Sequence, residues 1–290
     1  MRAAARADHR RAVKAFCPAH VTGFFTTRIT DNPLRSGSTG AGFTTDLGAV
    51  TAVRPARDAQ VFLDGKKIDA ATTLRALELT GAPPLRVETE WGLPVGAGLS
   101  ASGAGALSAV LSANLETGLG LPYGRLVAAA HRAEVERRSG LGSVVAQSTG
   151  GLVVRLAPGI PASVDRIAVP ATKIYIASVG GMPTSAVLSD AGARREINEH
   201  GRRALAALLR HPTLDEFFCQ SRRFATDTGL LSGRTLDAVE AVEASGGMAS
   251  MAMLGHTVFS TTPRGLGGMG KVYRCRISCL PACVLPSPSR

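Results

Sequence analysis

Trp91-Gly-Leu-Pro-Val-Gly-Ala-Gly-Leu-Ser-Ala-Ser-Gly-Ala-Gly-Ala-Leu107 is the most informative stretch of the 290-residue chain. It reads as a strand end, a glycine-rich loop and the start of a long small-residue helix over about Ala101–Thr117. Gly96 and Gly98 let the backbone turn tightly and approach a ligand closely. The loop empties into a helix N-terminus, where free N–H groups and the helix dipole favour an anion. Ser100 and Ser102 add hydroxyls suited to phosphate oxygens or a Mg2+ ion. The helix is apolar nearly all round, which predicts burial. The loop lacks the Gly-Lys-Ser/Thr ending of a Walker A motif. It also lacks the dinucleotide fingerprint, because the third glycine would fall on Ala101.

Outward from this stretch, residues 13–30 read as strand, turn and strand, followed by the Gly/Ser/Thr segment Arg35–Gly42. Short strands are expected at 50–54, 60–63 and 66–68, with Asp64-Gly65 as a hairpin turn. A short helix at 72–79 and a half-buried strand at 85–90 precede the glycine-rich loop. Beyond it come an amphipathic helix over Tyr123–Arg138, a second glycine-rich loop at 140–151 and a strand at 152–156. Pro and Gly cluster at 157–162 between two strand patterns, which predicts a domain boundary. The second half reads as a strand at 173–179 and helices at 193–210, 214–228 and 235–244. A Gly turn at 245–247 and a last strand at 271–277 follow. Mixed strands and helices without strict alternation indicate an α+β fold. The expected organisation is a mobile basic arm (1–12), an N-terminal lobe (13–160), a C-terminal lobe (161–285) and a frayed tail (286–290).

Composition bounds the function. The formal charge is +11, and 28 of the 33 basic residues are arginine. That charge permits an anionic partner, but the arginines are scattered in pairs such as Arg137–Arg138 and Arg222–Arg223 rather than in a long run. Aromatics make up only 4 % of the chain, which argues against single-stranded nucleic acid stacked on aromatic platforms. Five cysteines without a secretory signal pattern argue against a disulfide framework. No apolar run is long enough for a transmembrane helix. A soluble cytoplasmic protein is the default expectation, with a homodimer as the base-rate assembly. Cys275, Cys279 and Cys283 are spaced four apart, but Pro281 and the flanking β-branched residues favour extended structure, and no histidine completes a metal set.

One carboxylate stands out by periodicity alone. On the helix from Tyr123 the apolar positions are Leu126, Val127 and Ala130, and Glu134 falls on the same stripe. Glu136 falls on another face with Arg125 and Arg132. An inward carboxylate needs a partner, and a metal ion or a buried ion pair both satisfy it.

The pattern Pro94-x-Gly96-x-Gly98-Leu99-Ser100-x-Ser102-x-Ala104 resembles the phosphate-binding motif of the GHMP kinases. Cys17-Pro-Ala-His-Val-Thr-Gly-Phe-Phe25 resembles their N-terminal motif, with His20 and Thr22 as variants. Gly246-Gly-Met-Ala-Ser-Met-Ala-Met-Leu-Gly-His-Thr-Val-Phe-Ser260 resembles their C-terminal motif, which backs the phosphate loop, with Gly246, Gly247 and Gly255 as its supporting glycines. Arg35–Gly42, Ala130–Glu136, Gly140-Leu-Gly142, Val144–Gln147 and Gly150–Arg155 resemble the pantoate-kinase branch of that superfamily. The resemblance spans residues 13–285.

It implies two lobes, the first similar to a ribosomal-protein fold and the second ferredoxin-like. It also implies ATP with Mg2+ and direct phosphoryl transfer to pantoate on the route to coenzyme A. The phosphate-binding residues would be Pro94, Gly96, Ala97, Gly98, Leu99, Ser100, Ala101, Ser102 and Gly103. Ser102 and Glu134 would hold the metal. The acceptor carboxylate needs a fork of donors, for which Arg35 and Arg155 are candidates; each reads equally well as a surface arginine. His20, Thr22 and Ser38 are candidates for the acceptor hydroxyls. His131 and His256 read as structural or exposed.

One departure stands out. Where the pantoate-kinase pattern reads Gly-Leu-Gly-Asp-Val, the fourth residue here is Ser143, at a position where several superfamily members carry a catalytic base. A serine takes no proton near neutral pH without a base of its own. Three readings stay open: transfer without a base, a substitute among Glu136, His20 and Asp46, or a weak homologue that still binds ATP. Other acceptors (homoserine, mevalonate or a sugar) and a basic RNA-binding protein are the competing functions. RNA binding would fall steeply with salt.

Overall fold

Two long strands carry the first half of the chain: β1 (Lys14–Phe25) and β2 (Gly40–Pro55). The computed structural model describes residues 13–181 and 191–286. The arm expected at 1–12 and residues 287–290 of the expected tail lie outside them. β1 is buried along almost its whole length, as a strand covered on both faces must be. It pairs with β2 antiparallel, from Lys14 opposite Ala52 to Phe25 opposite Gly40. Its two irregularities fall between Pro18 and His20 and between Thr22 and Phe24. Irregularities of this kind re-aim side chains, and they leave Ala19 and Gly23 out of register on either side of the paired His20–Thr22 segment.

Around this pair the chain adds β3 (Gln60–Leu63), β4 (Lys66–Ile68), α1 (Ala71–Thr80), β5 (Leu85–Trp91), α2 (Ala101–Glu116), α3 (Tyr123–Glu136) and α4 (Ser143–Thr149). Then come β6 (Leu152–Ala157) and β7 (Ser163–Ile167). The C-terminal half of β2 pairs with β5 and its N-terminal half with β6. The second half contains β8 (Lys173–Gly181), α5 (Ala191–Arg210), α6 (Leu214–Asp227), α7 (Gly233–Ala244), β9 (Ala249–Met251), β10 (Gly255–Ser260), β11 (Val272–Arg276) and β12 (Cys283–Val284). Its antiparallel sheet runs β11-β8-β10-β9. This is the α+β, two-sheet architecture expected. α2 is buried along most of its length, as its apolar composition predicts.

Several local expectations change. Residues 13–30 hold one continuous strand rather than two, because β2 supplies a partner along its full length. The stretch 50–54 is the end of a 16-residue strand. The Gly/Pro cluster at 157–162 turns β6 back into β7 of the same sheet, so the two sheets part only between Ile167 and Lys173. Residues 143–149, inside the expected second loop, form α4. The C-terminal stretch returns to the first sheet, where β12 pairs with β1, Tyr123 donates to the Ala282 carbonyl and Leu285 N–H to that of Lys14. No helix among the described residues is long and apolar enough to cross a membrane.

The few aromatics are concentrated where the lobes meet. Of nine phenylalanines, seven form one cluster. Phe24, Phe25 and Phe43 come from the first sheet, Phe217, Phe218 and Phe224 from α6, and Phe259 from β10. Phe217 sits at its centre, fully buried, with ring centroids 6.0–6.3 Å from Phe24, Phe43, Phe218 and Phe259. Phe217→Ala is expected to cost about 3–5 kcal/mol through lost transfer energy and a residual cavity. Urea unfolding measures this, and a loss below about 1 kcal/mol would mean that the cluster does not join the lobes.

Candidate active site

The glycine-rich loop is wedged between the lobes. Gly98 has φ +72°, and a Cβ there would lie 3.0 Å from both Gly255 N and the Met253 carbonyl oxygen. A Cβ on Gly255 would lie 2.4 Å from the Ala97 oxygen. Both positions therefore require glycine. Thr257 Oγ1 donates to that same Ala97 oxygen at 2.7 Å, and the His20 N–H donates to the Leu99 oxygen at 3.2 Å. Gly255 backs the loop as expected. Gly246 and Gly247 do not: they form the turn between α7 and β9, where Gly247 lies against Thr262 and Val242.

The loop has a cavity on either side. One, of about 370 Å³, is largely apolar, with Val61, Leu63, Trp91 and Val95 in its wall and Thr73, Ser102 and Arg137 at polar positions. The other, of about 90 Å³, is lined by Thr22, Ser38, Ser100, Ser143 and Arg155 together with the segment Ser139–Gly142. Ser100, at the N-cap of α2, has a left-handed backbone (φ 63°); its hydroxyl donates to the His20 carbonyl at 3.1 Å and lies 2.9 Å from Ser143 Oγ, from which it can accept.

Two opposite charges are buried beside the smaller cavity. Arg155 is 2 % exposed, and its Nε has no partner. Burial lowers its pKa to about 10, against the pull of Glu134, so it stays charged near neutral pH. Glu134 is 1 % exposed, as its place on the inward stripe predicts. Burial pushes its pKa up to about 7; the N–H groups of Val144 and Ser143 and the charge of Arg155 act in the opposite direction. Its Oε2 has no partner. His20 is buried behind Arg155, 3.5 Å from its Nη1, and burial followed by that guanidinium holds the imidazole well below its ordinary pKa, hence neutral.

The other candidates sort by position. Thr22, Ser38 and Arg155 reach the smaller cavity. Arg35 is exposed on a turn and lines neither cavity, because its strand-free segment leaves the side chain in solvent. Ser102 is exposed on the first turn of α2 and faces the larger cavity. Glu136 is tied to Arg75 and Arg132 at 2.6 Å each and lies outside the cavity. Asp46 is exposed and accepts the Arg276 N–H. His131 is a core residue, its Nε2 3.0 Å from the Ser36 oxygen.

Gln147 had no role assigned from sequence. It is fully buried on α4, and its Nε2 donates to the Pro18 oxygen at 3.0 Å and the Ser100 oxygen at 3.1 Å. It thereby ties the glycine-rich loop, β1 and the helix that starts at Ser143.

A partly exposed glycine-rich helix start, with a larger apolar cavity and a smaller polar one beside it, is an arrangement suited to a two-lobed small-molecule kinase. Residues 67–151 match the GHMP kinases N terminal domain. The chain is 33 % identical over 249 residues to a pantoate kinase of Methanocaldococcus jannaschii, covering 84 % of this chain and 90 % of that one. It is 32 % identical over 263 residues to a pantoate kinase of Thermococcus kodakarensis, covering 86 % and 87 %. A solved structure described as a phosphotransferase related to the CoA biosynthesis pathway superposes with a TM-score of 0.84 at 26 % identity, covering 94 % of this chain and 98 % of that one. The chain belongs to the pantoate-kinase family of the GHMP kinases.

Gln147→Leu leaves two buried carbonyls short of a donor. Affinity for a nucleoside triphosphate is expected to fall about tenfold, equivalent to about 1.4 kcal/mol, by titration calorimetry; unchanged affinity would remove the positioning role. A second expectation follows from Glu134. The folded protein holds this proton up to about pH 7, whereas the ordinary value is 4.5. Between those limits the folded state binds more protons than the unfolded one. In metal-free, nucleotide-free protein this group's contribution to stability therefore falls as pH rises from about 4.5 to 7, by about 3 kcal/mol at most. Glu134→Gln should flatten that dependence in urea unfolding at pH 5 and pH 8; parallel profiles for the two proteins would contradict it.

Proposed function

We propose that the chain transfers the γ-phosphoryl group of ATP to the 4-hydroxyl of pantoate, giving 4-phosphopantoate for coenzyme A synthesis. Arg155 is the observation that carries this reading. A buried guanidinium with an unpartnered Nε lies on the acceptor side of the loop, matched to a small molecule bearing a carboxylate. Thr22 and Ser38 on the same wall suit the acceptor hydroxyls. The larger cavity suits the nucleoside, with the triphosphate reaching the N–H groups of Ala97–Gly103 at the start of α2.

The unpartnered Oε2 of Glu134 fits a cation, so Glu134, with Ser102 on the first turn of α2, would hold Mg2+. The ion, when bound, would neutralise charge developing on the β- and γ-phosphates. The acceptor oxygen forms a bond to the γ-phosphorus as the bridging P–O bond to the β-phosphate breaks, and ADP leaves. The protein's share is positioning and charge. Arg155 fixes the carboxylate end, so the hydroxyl end points to the loop.

Neither Glu136 nor Asp46 reaches the smaller cavity, and His20 lies behind Arg155. We therefore favour the base-free reading, in which the hydroxyl proton leaves late, to a phosphate oxygen or water. Pantoate with Mg-ATP is expected to support steady-state turnover, with homoserine and mevalonate poor acceptors. Arg155→Ala should raise KM for pantoate about tenfold or more while leaving ATP affinity within about twofold. Ser143→Asp should therefore not raise kcat, because a second carboxyl would stand beside buried Glu134. A rise in kcat in that variant would instead show that transfer here is limited by the lack of a base. Absence of pantoate turnover beside intact ATP binding would replace a kinase with a nucleotide-binding homologue.

A further inference from the structure

Outside the active site, the facing sides of α5 and α6 form a groove of about 330 Å³. Three guanidiniums, from Arg203, Arg210 and Arg223, line it, with Asp227 as the single carboxylate. Asp227 is turned to His200, its Oδ2 3.5 Å from Nδ1. Arg203 forms an exposed pair with Glu199 along α5, which holds it only weakly. Arg210 and Arg223 have no acidic partner among the described residues. Their neighbour Arg222, by contrast, is paired with Glu243 on another face. Beneath the charged side chains, Ala204 and Ala207 of α5 pack toward Phe224, and Ala204 and Phe224 are themselves buried.

The floor also connects to the active site. The Phe224 ring lies 5.8 Å from that of Phe25, and Phe25 lines the smaller catalytic cavity. α5 is fixed to the same end of β1, since Asn198 accepts the Thr27 N–H at 2.6 Å and donates to the Thr27 oxygen at 3.1 Å. Anything that separates or tightens α5 and α6 therefore bears on the end of β1 through one ring contact and one side-chain amide.

We propose that this groove is an effector site for a small phosphate monoester carrying an apolar group, whose occupancy is felt at Phe25 and hence in the acceptor cavity. The guanidinium forks of Arg210 and Arg223 would take the phosphate oxygens. The apolar group would lie against Ala207 and the aliphatic stems of the arginines, over buried Ala204 and Phe224. The linkage is reciprocal, so acceptor binding also changes affinity in the groove.

Phenyl phosphate is the probe, titrated by calorimetry into the full chain held in saturating Mg2+ and a non-hydrolysable ATP analogue. The expected result is one site that persists with nucleotide bound and binds phenyl phosphate more tightly than inorganic phosphate. Arg210→Ala/Arg223→Ala should weaken it at least tenfold. Both side chains are exposed, so that variant should keep the wild-type unfolding midpoint. Amide exchange across Phe25–Arg28 is expected to slow on addition of the probe in the wild type and not in the variant. Equal affinity in the two proteins, or unchanged exchange at Phe25–Arg28, would overturn the proposal. Neither measurement uses pantoate turnover, so a failure of the kinase reading leaves this test standing.

Discussion

The close approach of two backbones, Ala97–Ser100 and Met253–Gly255, is the constraint on which the rest depends. Side chains are excluded at Gly98 and Gly255 by contacts of 2.4–3.0 Å, and the hydroxyl of Thr257 closes the joint on the Ala97 oxygen. β1 is stitched to both partners: its His20 N–H reaches the Leu99 oxygen, and its Thr22 oxygen accepts the Met253 N–H. Three segments far apart in sequence thus hold the start of α2 in one place. The two cavities exist because the loop between them cannot swing toward either. The phenylalanine cluster adds non-directional cohesion around this joint, but the backbone contacts set its geometry.

The electrostatics of the site are equally local. In the proposed reading the net charge of +11 plays little part, since the anions would be met by N–H groups at a helix start and by one buried guanidinium. Arg155 and Glu134 are both buried, yet each keeps one polar atom without a partner. A purely structural buried ion pair is expected to satisfy its remaining donors and acceptors, because leaving them bare costs stability. Bare atoms on both members, beside a cavity, are what a site awaiting ligands would hold. The neutrality of His20 belongs to the same arrangement: a protonated imidazole 3.5 Å from Arg155 would add a second buried cation.

The legible features were those encoded locally. The glycine-rich loop, the all-apolar helix after it and the inward position of Glu134 follow from spacing alone. What stayed hidden depends on distant partners. α4 has seven residues and no side-chain cap, so it carries no strong local signal; packing against α2, α3 and β1 holds it. Gln147 joins carbonyls 129 and 47 residues away, beyond any periodicity. Arg35 and Arg155 each stand beside a glycine-rich segment and look alike in sequence. Pairing of β6 with β2 buries one, whereas a turn exposes the other. The Pro/Gly cluster at 157–162 was read as a boundary because hairpins and linkers share the same punctuation; only the pairing of β6 with β7 distinguishes them.

The serine at 143 gains a physical context from these neighbours. Its N–H and that of Val144 face Glu134, and its hydroxyl is hydrogen-bonded to that of Ser100. A carboxylate at this position would stand near an already buried one, and like charges at close range resist joint ionisation. With serine there, the guanidinium of Arg155 faces one buried carboxyl group rather than two. In the proposed reaction the incoming substrates then bring the negative charge: the acceptor carboxylate to Arg155 and the phosphates to the helix start and the cation held by Glu134. Such a site favours transfer through charge placement, because phosphoryl transfer with a loose transition state demands little proton removal before the bond to the leaving group has largely broken. Burial already raises the pKa of Glu134, and a second carboxyl at 143 would raise it further; serine there keeps the pocket to one acid and one guanidinium until substrates arrive.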